Sequence, residues 1–170
     1  MAVFVALLRA VNVGGTGKLP MTDLEAMCEK LGFTNVQTYI ASGNVIFESR
    51  KSEGSVKKTL EAALAKYAGK PVGAMVRTPA ELAKVVEGNP FPGKPTKWTV
   101  AIFLDAPPPK DTLSTLRGVN GEEVRLGKRE IYVHYGNGMA RSKLRIPAAG
   151  AGTARNMNTV AKLAELGAKR

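Results

Sequence analysis

The segment at residues 152–160 contains the residue types in this chain that are most suited to chemistry. It reads Gly-Thr-Ala-Arg-Asn-Met-Asn-Thr-Val, a small-residue loop that runs into a predicted helix beginning near Met157. At the positive end of that helix, Thr153, Arg155, Asn156 and Asn158 would stand beside backbone N–H groups. Such groups are typical of an anion-binding site. An ordinary capped helix with a solvated polar face is the alternative interpretation.

A second loop, at residues 12–18, is rich in glycine and lies between a predicted strand and a predicted helix. Gly14 and Gly15 allow backbone N–H groups to point toward an anion, with Asn12 and Lys18 at the ends of the loop. The loop does not match the Walker or dinucleotide-binding patterns, because Asn12 replaces the first Walker glycine and Pro20 the third dinucleotide glycine. A flexible crossover loop is the alternative.

Few residues in the chain offer catalytic or metal-binding chemistry. His134 is the single histidine and Cys28 the single cysteine, so a His/Cys metal cage is excluded and we predict no metal. A triad would need His134 with Ser42 or Ser142, and the local sequence does not support one. Cys28 falls on the predicted core stripe of a helix. No cofactor can be identified from the sequence.

The net charge of +11 is unevenly distributed. Residues 125–170 carry ten basic and two acidic residues, whereas residues 1–124 carry fifteen and twelve. A basic C-terminal third favours phosphates, nucleic acid or acidic surfaces as partners, although basicity also serves solubility. No apolar run is long enough to span a membrane, so we expect no membrane partner. One cysteine fits a reducing compartment, and we expect a cytoplasmic protein.

Hydrophobic periodicity and turn residues predict the element order β-α-β-β-α-β, a bridging helix, and then β-α-β-β-α. This order predicts an α+β fold: two tandem ferredoxin-like (split βαβ) halves packed into one compact unit, with a C-terminal helix. Residues 1–88 form the first half with the bridging helix, and residues 97–170 form the second half. The second half is predicted to lack its last strand. Residues 88–96, rich in proline and glycine, form the linker.

Four motifs together resemble a family of bacterial proteins numbered 1697 among domains of unknown function. They lie, in order, at residues 7–15, 18–21, 39–45 and 153–160, and the resemblance covers essentially the whole chain. The resemblance implies two ferredoxin-like α/β halves, in agreement with the order above. It implies no established activity. Many members have tryptophan where this chain has Met157, so a ligand contact made by that ring would be weaker here.

The motif residues share a polar or cationic character and lie at strand ends, loops or a helix start. Arg9 follows a predicted buried strand, where an arginine needs a partner. Our leading hypothesis is that residues 9–18, 42–44 and 153–158 converge on one cleft, with the first strand and last helix as neighbours. The cleft would bind an anionic, phosphate-bearing small molecule or nucleotide. The candidate ligand-binding residues are Arg9, Asn12, Gly14, Gly15, Lys18, Ser42, Asn44, Thr153, Arg155, Asn156 and Asn158.

Nucleic-acid binding is the second hypothesis. The residues that would contact phosphates are Lys97, Arg125, Lys128, Arg141, Lys143 and Arg145, and Trp98 and Tyr132 could stack on bases. The aromatic-rich strand signature of RNA-binding modules is missing from the sequence. A third hypothesis is an enzyme that uses Arg155 as an electrophilic stabiliser. The sequence does not indicate the oligomeric state.

Overall fold

The computed structural model describes residues 1–9, 18–136 and 138–170. It has two four-stranded antiparallel sheets and four α-helices within these residues, so the predicted α+β class is confirmed. The strands are β1 (Ala2–Leu8), β2 (Thr34–Thr38), β3 (Asn44–Ser49), β4 (Ala74–Arg77), β5 (Thr99–Phe103), β6 (Glu123–Leu126), β7 (Glu130–His134) and β8 (Thr153–Asn156). The helices are α1 (Met21–Lys30), α2 (Glu53–Ala68), α3 (Pro79–Glu87) and α4 (Met157–Ala168).

The first sheet has the strand order β2-β3-β1-β4. Val, Ile, Leu and Phe dominate β1 and β3, which lie at its centre and are buried. Helices α1 and α2 place one apolar stripe each against the sheet, including Leu24, Cys28, Leu60 and Leu64. This packing forms the core of the first unit.

Local sequence sets the ends of these helices. Gly32 ends α1 with a φ of 88°, its N–H donating to the Glu29 carbonyl and the Phe33 N–H to the Cys28 carbonyl, which is a Schellman arrangement. Thr78 and Glu81 form reciprocal side-chain to backbone hydrogen bonds of 3.2 and 2.9 Å at the start of α3. Thr22 and Glu25 have the spacing of a similar box, but α1 begins before them, at Met21, and has no side-chain cap hydrogen bond.

The second sheet has the strand order β6-β7-β5-β8, the same spatial pattern as the first. One face packs Val100, Ile102, Leu104 and Val133 against residues of the connecting loops. Here the sequence-based expectation was wrong at two places. The fourth strand, β8, is present, and the first helix predicted for the second half is replaced by one 3₁₀ turn, Thr112–Thr115.

Contacts divide the chain into two units, one of Met1–Leu82 with Leu163–Arg170 and one of Ala83–Lys162. Helix α4 therefore contributes residues to both. Grouping by contacts does not show which segments fold independently, so the division at 1–88 and 97–170 stays a prediction. Among the described residues, no helix is long and apolar enough to cross a membrane.

Candidate functional site

The short strand β8 places Thr153 and Arg155 on one face of the second sheet, since alternate strand residues share a face. Arg155 lies opposite Ala101 of β5, and Ala101 in turn lies opposite Tyr132 of β7. This face is unusually polar for a buried surface: Thr99, Glu130, His134 and Thr153 are all at most 6% exposed. Buried polar side chains are more informative about function than exposed ones.

Thr153 and Arg155 are the two predicted site residues with the most distinctive environments. Thr153 is 3% exposed, and within the described residues its hydroxyl has no hydrogen-bond partner. A buried hydroxyl without a partner costs free energy, so its position calls for an explanation. Arg155 is half-buried and donates from Nη1 to the Ala154 carbonyl at 2.8 Å. Burial lowers the pKa of Arg155 to about 10.

Asn156 and Asn158 have structural partners. The Asn156 side-chain oxygen accepts a hydrogen bond of 2.9 Å from the Thr159 N–H, which is the geometry of a helix N-cap for α4. The Asn158 side-chain oxygen accepts from the Thr96 hydroxyl at 2.6 Å. Arg155 lies on strand β8, two residues before the first residue of α4.

Asn44 and Ser42 hold the turn between β2 and β3. Asn44 is 0% exposed, and its amide nitrogen donates to the Tyr39 carbonyl at 2.9 Å and to the Ser42 hydroxyl at 3.0 Å. The turn is joined to the end of β1, because the Leu8 N–H donates to the Gly43 carbonyl at 2.8 Å. The structure thus brings Ser42 and Asn44 next to the strand that Arg9 follows.

The same turn contains a strained residue that the sequence did not indicate. Ile40 has a φ of 52°, in the left-handed region that β-branched side chains rarely adopt, and its side chain is 49% exposed. Strain of this kind persists only where the surrounding structure imposes it. The buried amide of Asn44 provides that constraint, since it anchors the carbonyl of the preceding residue, Tyr39.

Arg9 is exposed, and its N–H donates to the Gly73 carbonyl at 2.9 Å. The strand that Arg9 follows, β1, is buried as predicted, whereas Arg9 itself lies at the surface. Lys18 is exposed too. The predicted site residues Asn12, Gly14 and Gly15 lie outside the described residues. Because Arg9, Ser42 and Asn44 belong to the first unit and residues 153–158 to the second, their convergence on one cleft stays a prediction.

The second unit also contains a cavity of about 840 Å³ that no sequence motif had indicated. Two loops form it, at residues 118–122 and 138–143, together with Trp98 and Tyr135. The Ser142 hydroxyl donates to the Glu122 carboxylate at 2.5 Å, and this bond joins the two loops. The glycines at 118, 121, 136 and 138, all with positive φ, were the available signal for these turns.

The basic residues of the nucleic-acid hypothesis, Lys97, Arg125, Lys128, Arg141, Lys143 and Arg145, are all exposed. Arg141 and Lys143 line the loop cavity, and the Lys97 ammonium lies 5.2 Å from the centre of the Trp98 ring. Tyr132, by contrast, is buried, and its hydroxyl donates to the Val85 carbonyl at 3.0 Å. Its ring cannot stack on a base.

The two groups considered for covalent or acid–base chemistry are both in the core. His134 is buried, with Nδ1 3.0 Å from the Thr99 hydroxyl. Cys28 lies on the buried face of α1, and burial raises the pKa of its thiol to about 12. A protonated, buried thiol is a poor nucleophile.

Comparison with known proteins identifies the fold and a family. A conserved bacterial protein from Streptococcus pneumoniae has a solved structure that matches with a TM-score of 0.76 and 22% sequence identity, covering 96% of this chain and 97% of that one. At this identity the match shows the fold alone. No curated protein matches the chain. The model of the family described as "Protein of unknown function (DUF1697)" matches residues 1–132, so the chain belongs to that family.

Proposed function

We propose that this protein binds a phosphate-bearing small molecule, and that Thr153 and Arg155 on β8 hold its anionic group. One observation carries the proposal: Thr153 and Arg155 lie on the same face of the sheet. The Arg155 guanidinium is half-buried, and the Thr153 hydroxyl is buried and has no hydrogen-bond partner among the described residues. A hydroxyl and a guanidinium together supply the donors that a phosphate oxygen accepts.

Electrostatics favours an anion beside the Arg155 guanidinium. Burial disfavours the charged form of Arg155, and this lowers its pKa. Coulomb attraction is stronger where water is excluded, so an anion bound beside this guanidinium gains more than it would beside an exposed lysine. At neutral pH the guanidinium remains charged, since its pKa of about 10 is well above that pH.

The other predicted site residues have secondary roles in this proposal. Asn156 positions α4 as its cap, and Asn158 is held by Thr96. The first loop, with Asn12, Gly14, Gly15 and Lys18, and the turn with Ser42 and Asn44 are proposed to contact the rest of the ligand. Arg9, being exposed, is proposed to attract the anion by charge.

The proposal is tested by thermal-shift measurements with inorganic phosphate, pyrophosphate and mononucleotides. We expect at least one phosphate compound to raise the melting temperature of the wild type, because a ligand that binds only the folded state stabilises it. Arg155→Gln should abolish the shift while remaining folded. Lys110→Gln is the matched control, since it removes one exposed charge in the same unit. Equal shifts in all three proteins would contradict the proposal.

Nucleic-acid binding is the second candidate, and the loop cavity is the observation that favours it. Arg141 and Lys143 lie beside a half-buried Trp98 ring there, a combination that suits phosphate and base contacts. Replacing Arg141, Lys143 and Arg145 together should reduce the salt dependence of RNA binding by about three units of slope if these residues neutralise phosphates. Tight RNA binding that this triple variant abolishes, and that Arg155→Gln leaves intact, would favour the second candidate over the first.

We further propose that each unit is a ferredoxin-like half. The support is the strand order, which is β2-β3-β1-β4 in one unit and β6-β7-β5-β8 in the other, with helices α1 and α2 as the crossovers of the first. In the second unit, 3₁₀ turns and loops take the place of the two helices. A cytoplasmic location is proposed on the single cysteine of the chain.

A further inference from the structure

Helices α1 and α2 each have a second stripe of residues that faces away from the sheet. On α1 it runs from Asp23 to Lys30 and continues to Leu31, and on α2 it runs from Lys58 to Tyr67. Positions three and four apart on a helix share a face, so each stripe is continuous. The two stripes border an open groove of about 990 Å³, the α1–α2 groove.

The floor of this groove is apolar and made of small side chains. Ala26 and Ala62 are exposed, and Ala63 and Met27 are half-buried. Small residues leave the space between two helices unfilled and allow a third backbone to approach closely. Met27 adds an adaptable side chain of the type found at peptide-binding surfaces. The inward stripes of both helices are buried in the core, and Met27 and Leu31 contact that core from the groove side, whereas Ala26 and Ala62 remain exposed.

The charges around the groove are predominantly positive. Lys30, Lys58 and Lys66 line it, and the single carboxylate among the lining residues is Asp23. That carboxylate accepts a hydrogen bond of 2.7 Å from the Tyr67 hydroxyl, which joins the first turn of α1 to the last turn of α2. Because the lysines dominate the charge of the groove, a complementary partner carries negative charge.

We propose that the α1–α2 groove is a docking site for an acidic amphipathic helix of a partner protein. The apolar stripe of the partner lies on the alanines and Met27, and its flanking carboxylates meet Lys30, Lys58 and Lys66. The groove follows α1 for about 12 Å, at 1.5 Å per residue, so about two turns of helix cover it. A second copy of this chain is disfavoured as occupant, because the chain has a net charge of +11.

The test uses the full chain and a displayed library of amphipathic peptides about 14 residues long. Leu, Ile, Met and Phe vary at the apolar positions, and Glu and Lys vary at the flanking positions. We expect selected peptides to carry Glu at the flanks and to bind at least about tenfold more weakly to Ala62→Glu, which places a carboxylate on the groove floor. Ala80→Glu is the matched control, because Ala80 is an exposed alanine on α3 outside the groove.

A charge-reversal variant separates docking from unspecific attraction to a basic protein. Lys30→Glu combined with Lys58→Glu should bind the Lys-flanked versions of the selected peptides and lose the Glu-flanked ones. The proposal is overturned if no peptides are enriched, or if Ala62→Glu binds the selected peptides as tightly as the wild type does. It is also overturned if the charge-reversal variant keeps the wild-type preference for Glu-flanked peptides. Groove-dependent binding to anionic phospholipid vesicles without peptide enrichment, or groove-dependent self-association, would equally overturn it in favour of another occupant.

Discussion

The side chains of Asn44, Asn156 and Asn158 resemble ligand contacts in the sequence, yet each has a structural partner. Asn44 supports the Tyr39 carbonyl, Asn156 caps α4, and Asn158 accepts from Thr96. An asparagine side chain at a helix start or turn can either stabilise the fold or contact a ligand. The residue type alone therefore does not distinguish a structural role from a binding role. Burial and hydrogen-bond partners can separate them for Thr153, whose buried hydroxyl has no hydrogen-bond partner among the described residues. Arg155 stands out by the burial of its guanidinium, which lowers its pKa.

The strained conformation of Ile40 gives a prediction at this scale. Ile40→Gly should raise the free energy of unfolding by about 1 kcal/mol, because glycine adopts a positive φ without the steric cost that a β-branched residue incurs. Ile40 is 49% exposed, so the substitution removes less burial than it would at a core position. Urea unfolding measures the change. Val119→Gly, at a residue 51% exposed without positive φ, is the control and should not stabilise. Destabilisation by Ile40→Gly would show that the side chain contributes more than the strain costs.

Cys28 gives a prediction about alkaline pH. The pKa of its thiol is raised in the folded state from 9.0 to about 12, so the folded protein binds the proton more tightly than the unfolded chain. The stability that this thiol contributes is therefore complete below about pH 9 and decreases as the pH rises toward 12. Cys28→Ala should be less stable than the wild type at neutral pH, and the difference should shrink above pH 9. A difference that stays constant with pH would contradict the buried thiol.

At the scale of elements, periodicity in the sequence predicted most helices and strands because their apolar stripes are local patterns. Strand β8 was missed because Thr153–Asn156 has no apolar alternation, and its pairing with β5 is made about fifty residues away in the chain. The helix expected after the prolines at 107–109 is a 3₁₀ turn, capped by hydrogen bonds such as that from the Thr112 hydroxyl to the Pro109 carbonyl. The loop cavity forms where the loops at residues 118–122 and 138–143, which are separate in the sequence, come together. No local sequence pattern predicts that contact between the two loops.

The cap of α4 can be separated from anion binding by two substitutions at one position. Asn156→Ala should lower the free energy of unfolding by about 1 kcal/mol, since the hydrogen bond to the Thr159 N–H is lost. Asn156→Asp should keep that stability, because aspartate is an equally good cap, but its charge next to Arg155 should weaken anion binding. Urea unfolding of both variants measures the change in stability, and thermal shifts with phosphate compounds measure the change in anion binding. Unchanged stability in Asn156→Ala would contradict the cap.

At the scale of the whole molecule, the sequence-based hypothesis of one shared cleft makes a quantitative prediction. If Arg9 and Arg155 act on the same phosphate compound, the effects of Arg9→Gln and Arg155→Gln on its dissociation constant should not add, and the double variant reveals the coupling. We expect a coupling free energy of about 0.5 kcal/mol or more. Titration calorimetry on the four proteins measures it. Strict additivity would mean that the two units bind anions separately.

The central claim, that Thr153 and Arg155 on β8 bind a phosphate-bearing anion, is tested most directly by nuclear magnetic resonance. Titration of the labelled full chain with pyrophosphate should move the backbone amide signals of residues 153–158 most, and Arg155→Gln should remove these shifts. The largest shifts at the loops of residues 118–122 and 138–143, or no saturable shift at all, would contradict the account.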